Sequence, residues 1–233
     1  PNHPDTLNNR GFTLHHLGQY QEAAQDYNRS LELRPNHPDT LNNRGFTLHH
    51  LGQYQEAAQD YNRSLELRPN HPDTLNNRGF TLHHLGRNQE ALRDYNRSLE
   101  LRPNHPDTLN NRGITLHYLG RYQEALQDYN RSLKLRPDHP DTLNNRGIIL
   151  RYLGQYQEAL QDYNRSLELR PNHTDTLNNR GIILRHLGQY EEALRDYNRS
   201  LKLRPNHPDT LNNRGVTLHH LEQYQEALQD YNR

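Results

Sequence analysis

Apolar residues are sparse along this chain, but they recur at two fixed phases. In the first stretch, Leu7, Gly11, Leu14 and Leu17 fall three and four residues apart, with Arg10 on the same stripe. That spacing puts them on one face of a helix. Pro4 suits the first helical position, where a missing N–H costs nothing, and Asp5 adds a favourable charge to the first turn. Gly18 accepts the left-handed conformation that closes a helix C-terminus. A second stripe follows in Tyr20, Ala23, Ala24, Tyr27 and Leu31. Leu33 lies just beyond it, and Pro35 prevents continuation.

The pattern then starts again. Units of 34 residues begin at Pro1, Pro35, Pro69, Pro103, Pro137, Pro171 and Pro205, giving repeats 1–34, 35–68, 69–102, 103–136, 137–170, 171–204 and an incomplete 205–233. A fixed period of this size marks a solenoid, in which each unit buries its apolar face only against its neighbours. The expectation is a single all-α array over 1–233, an α-solenoid of antiparallel helix pairs without linker or second domain. The chain lacks a starting Met and begins and ends in mid-pattern, so it reads as an excised piece of a longer array.

Composition taken alone points the other way. Hydrophobic residues make up only 30% of the chain, and Pro and Gly number 13 each. With a mean hydropathy of -1.27, that balance leans towards disorder. The fixed phase of the apolar positions overrides it. Basic and acidic residues number 28 each, so no bulk attraction to nucleic acid or anionic membrane is implied. Cysteine is absent, which removes disulfides and thiol chemistry. No apolar run reaches membrane-spanning length and no signal peptide precedes Pro1, so a cytoplasmic protein off the membrane is expected.

Nothing in the repeat suggests catalysis. No nucleophile–base pair, Gly-rich phosphate loop or paired-carboxylate site stands out, and near-identical units cannot supply the asymmetric cluster of an active site. Neither metal nor cofactor is expected, despite 17 histidines. His15 and His16 diverge by about 100° around a helix, unlike the one-turn spacing of helical zinc pairs. They are expected as solvated surface residues. The sequon Asn28-Arg29-Ser30 recurs in six copies, and Asn172-His173-Thr174 adds another. Placed within a helix, the first set reads as a chance product of composition and duplication.

Gly11 sits in mid-helix, where it costs about 1 kcal/mol relative to Ala. A missing Cβ lets the second helix approach, with the small Ala23 as the expected opposite number. The succession Leu7-x2-Arg10-Gly11-x2-Leu14, then Ala23-x3-Tyr27, then Pro35 resembles the tetratricopeptide repeat family over the whole chain. That resemblance implies a right-handed superhelix, with first helices lining a concave groove and second helices forming the outer wall. It also implies a binding module without catalytic machinery.

Arg10 departs from the family pattern, which has an apolar residue there. A charge on a buried stripe requires a partner. The expected partner is Asp26 on the facing helix, and the pairing recurs as Arg112 with Asp128 and Arg146 with Asp162. The alternative is a surface pair of Asp26 with Arg29, three residues on.

The opposite face of the first helix is where function is expected. Asp5, Asn9, Phe12 and His16 cluster there, with Asn8 and His15 flanking. Some members of the resembled family hold a bound peptide's backbone with groove asparagines. The matching positions are Asn9, Asn43, Asn77, Asn111, Asn145, Asn179 and Asn213. A carboxamide offers both donor and acceptor and so pairs with any peptide unit. The alternative is that these residues bond to one another or to water. An apolar ladder runs beside them: Phe12, Phe46, Phe80, Ile114, Ile148, Ile182 and Val216. It reads either as a contact surface or as packing between adjacent first helices. Copies four to six combine Ile114, Tyr118, Ile148, Arg151, Tyr152 and Arg185, of types enriched in binding hot spots.

The leading reading is therefore a scaffold that binds a protein or peptide in the concave groove. Two others stand beside it. The chain ends expose apolar stripes and allow end-to-end self-association, and related helical hairpins bind single-stranded RNA. Zero net charge and the Asp5 ladder weigh against nucleic acid. Asn88 replaces the Tyr of other copies and Glu222 replaces the turn glycine, so copies three and seven are expected to be the least tightly held.

Overall fold

The computed structural model of the chain describes residues 3–233. Among them are 14 α-helices and no strand. They form two units, one running to Leu119 and the other from Gly120. The first holds α1 (Pro4–His16), α2 (Tyr20–Leu33), α3 (Pro38–His50), α4 (Tyr54–Leu67), α5 (Pro72–His84), α6 (Asn88–Leu101) and α7 (Pro106–Tyr118). The second holds α8 (Tyr122–Leu135), α9 (Pro140–Tyr152), α10 (Tyr156–Leu169), α11 (Thr174–His186), α12 (Tyr190–Leu203), α13 (Pro208–His220) and α14 (Tyr224–Tyr231). Within each unit, every helix packs on the next in sequence, and the first helices of adjacent repeats also touch.

The helix ends follow from local chemistry. At the start of α3, His37 Nδ1 accepts the Thr40 N–H (3.2 Å) and the Thr40 hydroxyl (2.8 Å). One orphan donor of the first turn is thereby satisfied. At the end of α1, Gly18 N–H donates to His15 O and Gln19 N–H to Leu14 O, both at 2.9 Å. That is the paired closure of a left-handed C-terminus, and Gly18 has φ 76°. Glu222 occupies the same position in the last repeat at φ 60°, the non-glycine residue with positive φ among those described.

Between the helices of a pair, the core is a tyrosine laid on a glycine. Tyr27, Tyr61, Tyr95, Tyr163 and Tyr197 are all at most 1% exposed. A Cβ on Gly11 would stand 2.8 Å from the Tyr27 ring, and one on Gly147 2.6 Å from the Tyr163 ring. The residue that demands the glycine is thus Tyr27, and not Ala23 as the small-on-small argument expects. Ala23 is itself fully buried in the core. Burial pushes the Tyr27 hydroxyl well above its ordinary pKa.

Polar residues complete the packing. Ser30 Oγ donates to the Pro4 carbonyl at 2.8 Å, tying the end of α2 to the start of α1, and Ser64, Ser98 and Ser166 do the same in their repeats. The carboxylate of Asp60 takes two N–H groups of Arg44, at 2.7 and 2.6 Å. Arg10 with Asp26, Arg78 with Asp94, Arg146 with Asp162, Arg180 with Asp196 and Arg214 with Asp230 repeat this fork. A further N–H reaches back one repeat: Arg44 donates to Asn28 Oδ1 at 2.9 Å, Arg146 to Asn130 and Arg180 to Asn164, both at 2.8 Å. Arg112 of α7 donates to Asn96 at 2.8 Å, and Asp128 is buried in α8. Asn28 and Ser30 of the Asn28-Arg29-Ser30 triplet thus have structural work, as partners of Arg44 and of the Pro4 carbonyl. Burial pushes the Asp60 carboxyl up, partly offset by Arg44, while hydrogen bonding to Asp196 makes the Arg180 guanidinium more basic.

Two histidines of the first helices depart from expectation. His15 and His49 are each only 8% exposed, because position 15 of the repeat faces the next first helix. The Thr47 hydroxyl donates to the Asn43 carbonyl at 3.1 Å and meets His15 Nδ1 at 2.9 Å. With its proton so used, Thr47 accepts from His15. His49 Nδ1 meets the Thr81 hydroxyl at 2.9 Å. Burial lowers both imidazoles to a pKa of about 4, with His50 and His16 adding at His15, and His84 and His50 at His49. In α9 and α11 the position carries Arg151 and Arg185, which do not titrate in this range.

Three outcomes are expected. Arg146→Leu strands Asp162 and should destabilise by about 2–4 kcal/mol, below the cost for a fully buried pair because the arginine is partly exposed. Adding Asp162→Leu should recover much of that loss, which a double-mutant cycle in urea measures as coupling. Glu222→Gly should stabilise the last repeat by about 1 kcal/mol, since glycine adopts the left-handed turn without strain. Slower hydrogen exchange in α13 and α14 would record it. Because the folded-state pKa values of His15 and His49 lie below the ordinary 6.5, the unfolded chain binds protons first. Their stabilisation is complete above pH 6.5 and is lost as pH falls towards 4. Hydrogen exchange at pH 7 and pH 5 should show α1–α4 losing protection before α9–α12.

Candidate functional site

The face of each first helix that turns away from its partner carries the candidate residues. In the first unit Asn9 is exposed and Asn43, Asn77 and Asn111 are half-buried; in the second, Asn145, Asn179 and Asn213 are half-buried. These asparagines are not isolated. Asn43 Nδ2 donates to Asn8 Oδ1 (3.2 Å), Asn77 to Asn42 (3.3 Å) and Asn111 to Asn76 (3.2 Å). In the second unit Asn179 donates to Asn144 (3.1 Å) and Asn213 to Asn178 (3.0 Å). Each such bond links adjacent repeats and engages one of the two N–H groups that a carboxamide carries. On the acceptor side, Asn9, Asn77, Asn111 and Asn145 each take a long N–H bond, 3.3 to 3.5 Å, from the asparagine just before them, so bonding among asparagines engages part of both the donor and the acceptor capacity.

The neighbouring ladders have mixed roles. Phe46 and Phe80 stack against His15 and His49 of the preceding repeat, with ring centroids 4.8 Å apart in both cases. The half-buried Ile114, Ile148, Ile182 and Val216 continue that line. The Asp5 ladder is not an open row of acids. Arg34 donates to Asp5, Arg68 to Asp39 and Arg102 to Asp73, each at 2.7 Å, and Arg170 to Asp141 at 2.8 Å. Position 6 of the repeat, which the periodicity of leucines passes over, is buried as Thr40, Thr74, Thr108, Thr142, Thr176 and Thr210. Position 13 is likewise buried as Thr47, Thr81, Thr115, Ile149, Ile183 and Thr217. Threonine counts as polar in a hydropathy pattern, so only its recurrence at one phase could have signalled the core.

Rings from successive repeats meet at the end of the first helix. Tyr20 stacks on His50 with centroids 5.1 Å apart and Tyr54 lies on His84 at 5.2 Å in the first unit. In the second, Tyr122 stacks on Tyr152 at 5.1 Å, Tyr156 on His186 at 5.5 Å and Tyr190 on His220 at 5.3 Å. The Arg151 guanidinium lies 5.0 Å from the Tyr152 ring centre, a cation–π distance. Arg151 and Arg185 are half-buried, and the Nε of each is enclosed without a hydrogen-bond partner. Burial lowers the His186 pKa, and the charges of Arg185 and Arg151 lower it further.

Among the described residues, no group of three His, Asp or Glu side chains could hold a metal ion. No described helix is long and apolar enough to cross a membrane. Open clefts recur on the second-helix side, such as one of about 240 Å³ bounded by Leu160, Asn164, Arg180, Leu184, Gln189 and Glu192. Their walls are the structural Arg–Asp–Asn groups themselves.

Comparison with known proteins agrees with this architecture. The Tetratricopeptide repeat family matches in six overlapping segments, 3–70, 37–104, 70–138, 106–172, 138–205 and 173–233. No curated protein sequence matches. Among solved structures, the APC/C hetero-tetramer Cut9–Hcn1 superposes with a TM-score of 0.88 at 19% identity, over 94% of this chain and 43% of that one. The chain thus spans under half the length of that relative. A tetratricopeptide repeat protein from Parabacteroides merdae gives a TM-score of 0.75 at 21% identity, covering 97% of this chain and 90% of the other. YrrB, described as a TPR protein with an unusual peptide-binding site, gives 0.61 at 21% identity, covering 81% and 97%. At these identities the structures speak for the fold alone. The matches to the family run from residue 3 to residue 233, in phase with the tyrosine–glycine core, and the chain belongs to the tetratricopeptide repeat family.

Proposed function

We propose that the chain is a non-catalytic protein-interaction scaffold that holds an extended peptide segment along the first-helix face of each unit. The observation that carries this reading is the asparagine ladder. Its members recur once per repeat, and Asn43, Asn77, Asn111, Asn179 and Asn213 are each held by a bond to an asparagine of the preceding repeat. A carboxamide held in this way presents its remaining hydrogen-bonding capacity at a regular interval, which suits a peptide backbone whatever side chains it carries. The family is a typical protein-interaction scaffold, and YrrB is described as having a peptide-binding site. Sequence preference would come from Ile114, Tyr118, Ile148, Arg151, Tyr152 and Arg185, which vary between copies where the asparagines do not. The two guanidinium groups have no carboxylate partner among the described residues.

Replacing Asn111, Asn145 and Asn179 together by Ala should weaken every peptide ligand similarly, by about 0.5–1.5 kcal/mol for each hydrogen bond lost. Tyr118→Ala with Tyr152→Ala should instead discriminate between ligands. Calorimetric titration of peptides selected from a display library on the intact chain measures both. The asparagine variant also loses inter-repeat bonds, so binding is compared well below its melting temperature. Undiminished affinity in that variant would move the binding face to the second helices.

A further inference from the structure

One rung of the ring ladder is missing. At the first position of the second helix, Asn88 stands where the other six copies have tyrosine. The tyrosine in five of those copies lies against a ring of the next repeat, at centroid distances of 5.1 to 5.5 Å. Asn88 does not substitute for it. Its side chain turns inward, is 7% exposed, and bonds through Oδ1 to His83 Nδ1 at 2.9 Å. Tyr118, the ring it would have met, is consequently 72% exposed, against 53% for the stacked Tyr152. Its described ring contact is the edge of His83, at 5.7 Å and 89°.

We propose that the space between Asn88 and Tyr118 is a subsite for an aromatic side chain of the bound segment. The proposal rests on the first-helix face being the binding face. The shape selects a planar group, because the neighbouring rungs show that a flat ring laid against this position completes the ladder. Charge selects a neutral one. Burial holds the His83 pKa down, so the floor of Asn88 and His83 is uncharged at neutral pH. The nearby Arg87 is already engaged by Glu90 at 2.7 Å. Ile114, one helical turn before Tyr118, adds an apolar edge. An aromatic pair of this kind contributes about threefold to tenfold in affinity.

The test uses the whole chain and two small probes, N-acetyl-tryptophanamide and N-acetyl-leucinamide, followed by NMR. The tryptophan probe should produce ring-current shifts at Tyr118, Ile114 and the Asn88 amide, and larger ones there than at Tyr152. The leucine probe, which carries no ring, should perturb the Asn88 amide only at about threefold or more higher concentration. Asn88→Tyr, which installs the residue found in the other copies, should fill the gap and abolish those shifts. Tyr118→Leu provides a second variant, which removes the wall and should weaken the probe about threefold or more. Equal affinity for both probes, equal shifts at Tyr152, or unchanged binding to Asn88→Tyr would overturn the proposal. If selected peptides bind while the tryptophan probe ignores Tyr118, the subsite alone is wrong. If peptide affinity survives loss of the asparagines, the binding face itself is wrong.

Discussion

The structure depends on one charged group placed where a packed helix pair has little room for charge. Each interior arginine lies on the stripe that faces its partner helix, and a guanidinium there is tolerable only if its donors are met. The carboxylate of the facing helix takes two of them in a planar fork, the geometry in which an arginine–carboxylate pair is strongest. An asparagine from the preceding repeat takes another. In Arg44, Arg78, Arg146, Arg180 and Arg214 a single side chain therefore joins three helices, two of its own repeat and one of the repeat before. An apolar residue, as the family pattern has here, could fill the same volume but would make none of these bonds.

Around that group the remaining framework residues are held with little freedom. The tyrosine ring excludes any side chain from the opposing glycine, the serine closes the end of the second helix onto the start of the first, and the histidine at the helix start caps the first turn. Variation is found where these contacts are not. Residues at the end of the first helix, and on its outer face, change from copy to copy between Phe, Ile and Val, and between His, Tyr and Arg. The division is not complete: buried position 13 changes from Thr47 to Ile149, and position 15 changes from the buried His15 to the half-buried Arg151.

Much of the architecture was legible in the sequence because helix periodicity, Pro4 and Gly18 all depend on local chemistry. The pairing of Arg146 with an acid on the facing helix could also be argued, since a buried charge needs a counter-charge. Other features depend on relations between repeats and were not legible. Nothing in the phase of Leu7 and Leu14 says that Thr47 is buried, because its neighbour is His15 of another repeat. The seeming sequon at Asn28 gains its meaning only when Arg44 of the following repeat is seen to reach it. The candidate face was legible as a row of asparagines; that the row is already tied together by bonds to Asn8, Asn42 and Asn76 was not.

The backward reach of each arginine gives the framework a property that belongs to the gene as much as to the protein. Every such bond is made between one repeat and the one before it, at an offset of 16 residues between Arg44 and Asn28, and it is renewed identically one period later. Removing or inserting one whole period rejoins every arginine to an equivalent asparagine and every serine to an equivalent carbonyl. A change of one residue more or less would turn the following helix by about 100° and set the arginine against the wrong neighbour. Unequal recombination between near-identical segments can therefore lengthen or shorten the array in whole steps without a new fold having to be found. The number of rungs offered to a partner is then open to change while the spacing between them is not.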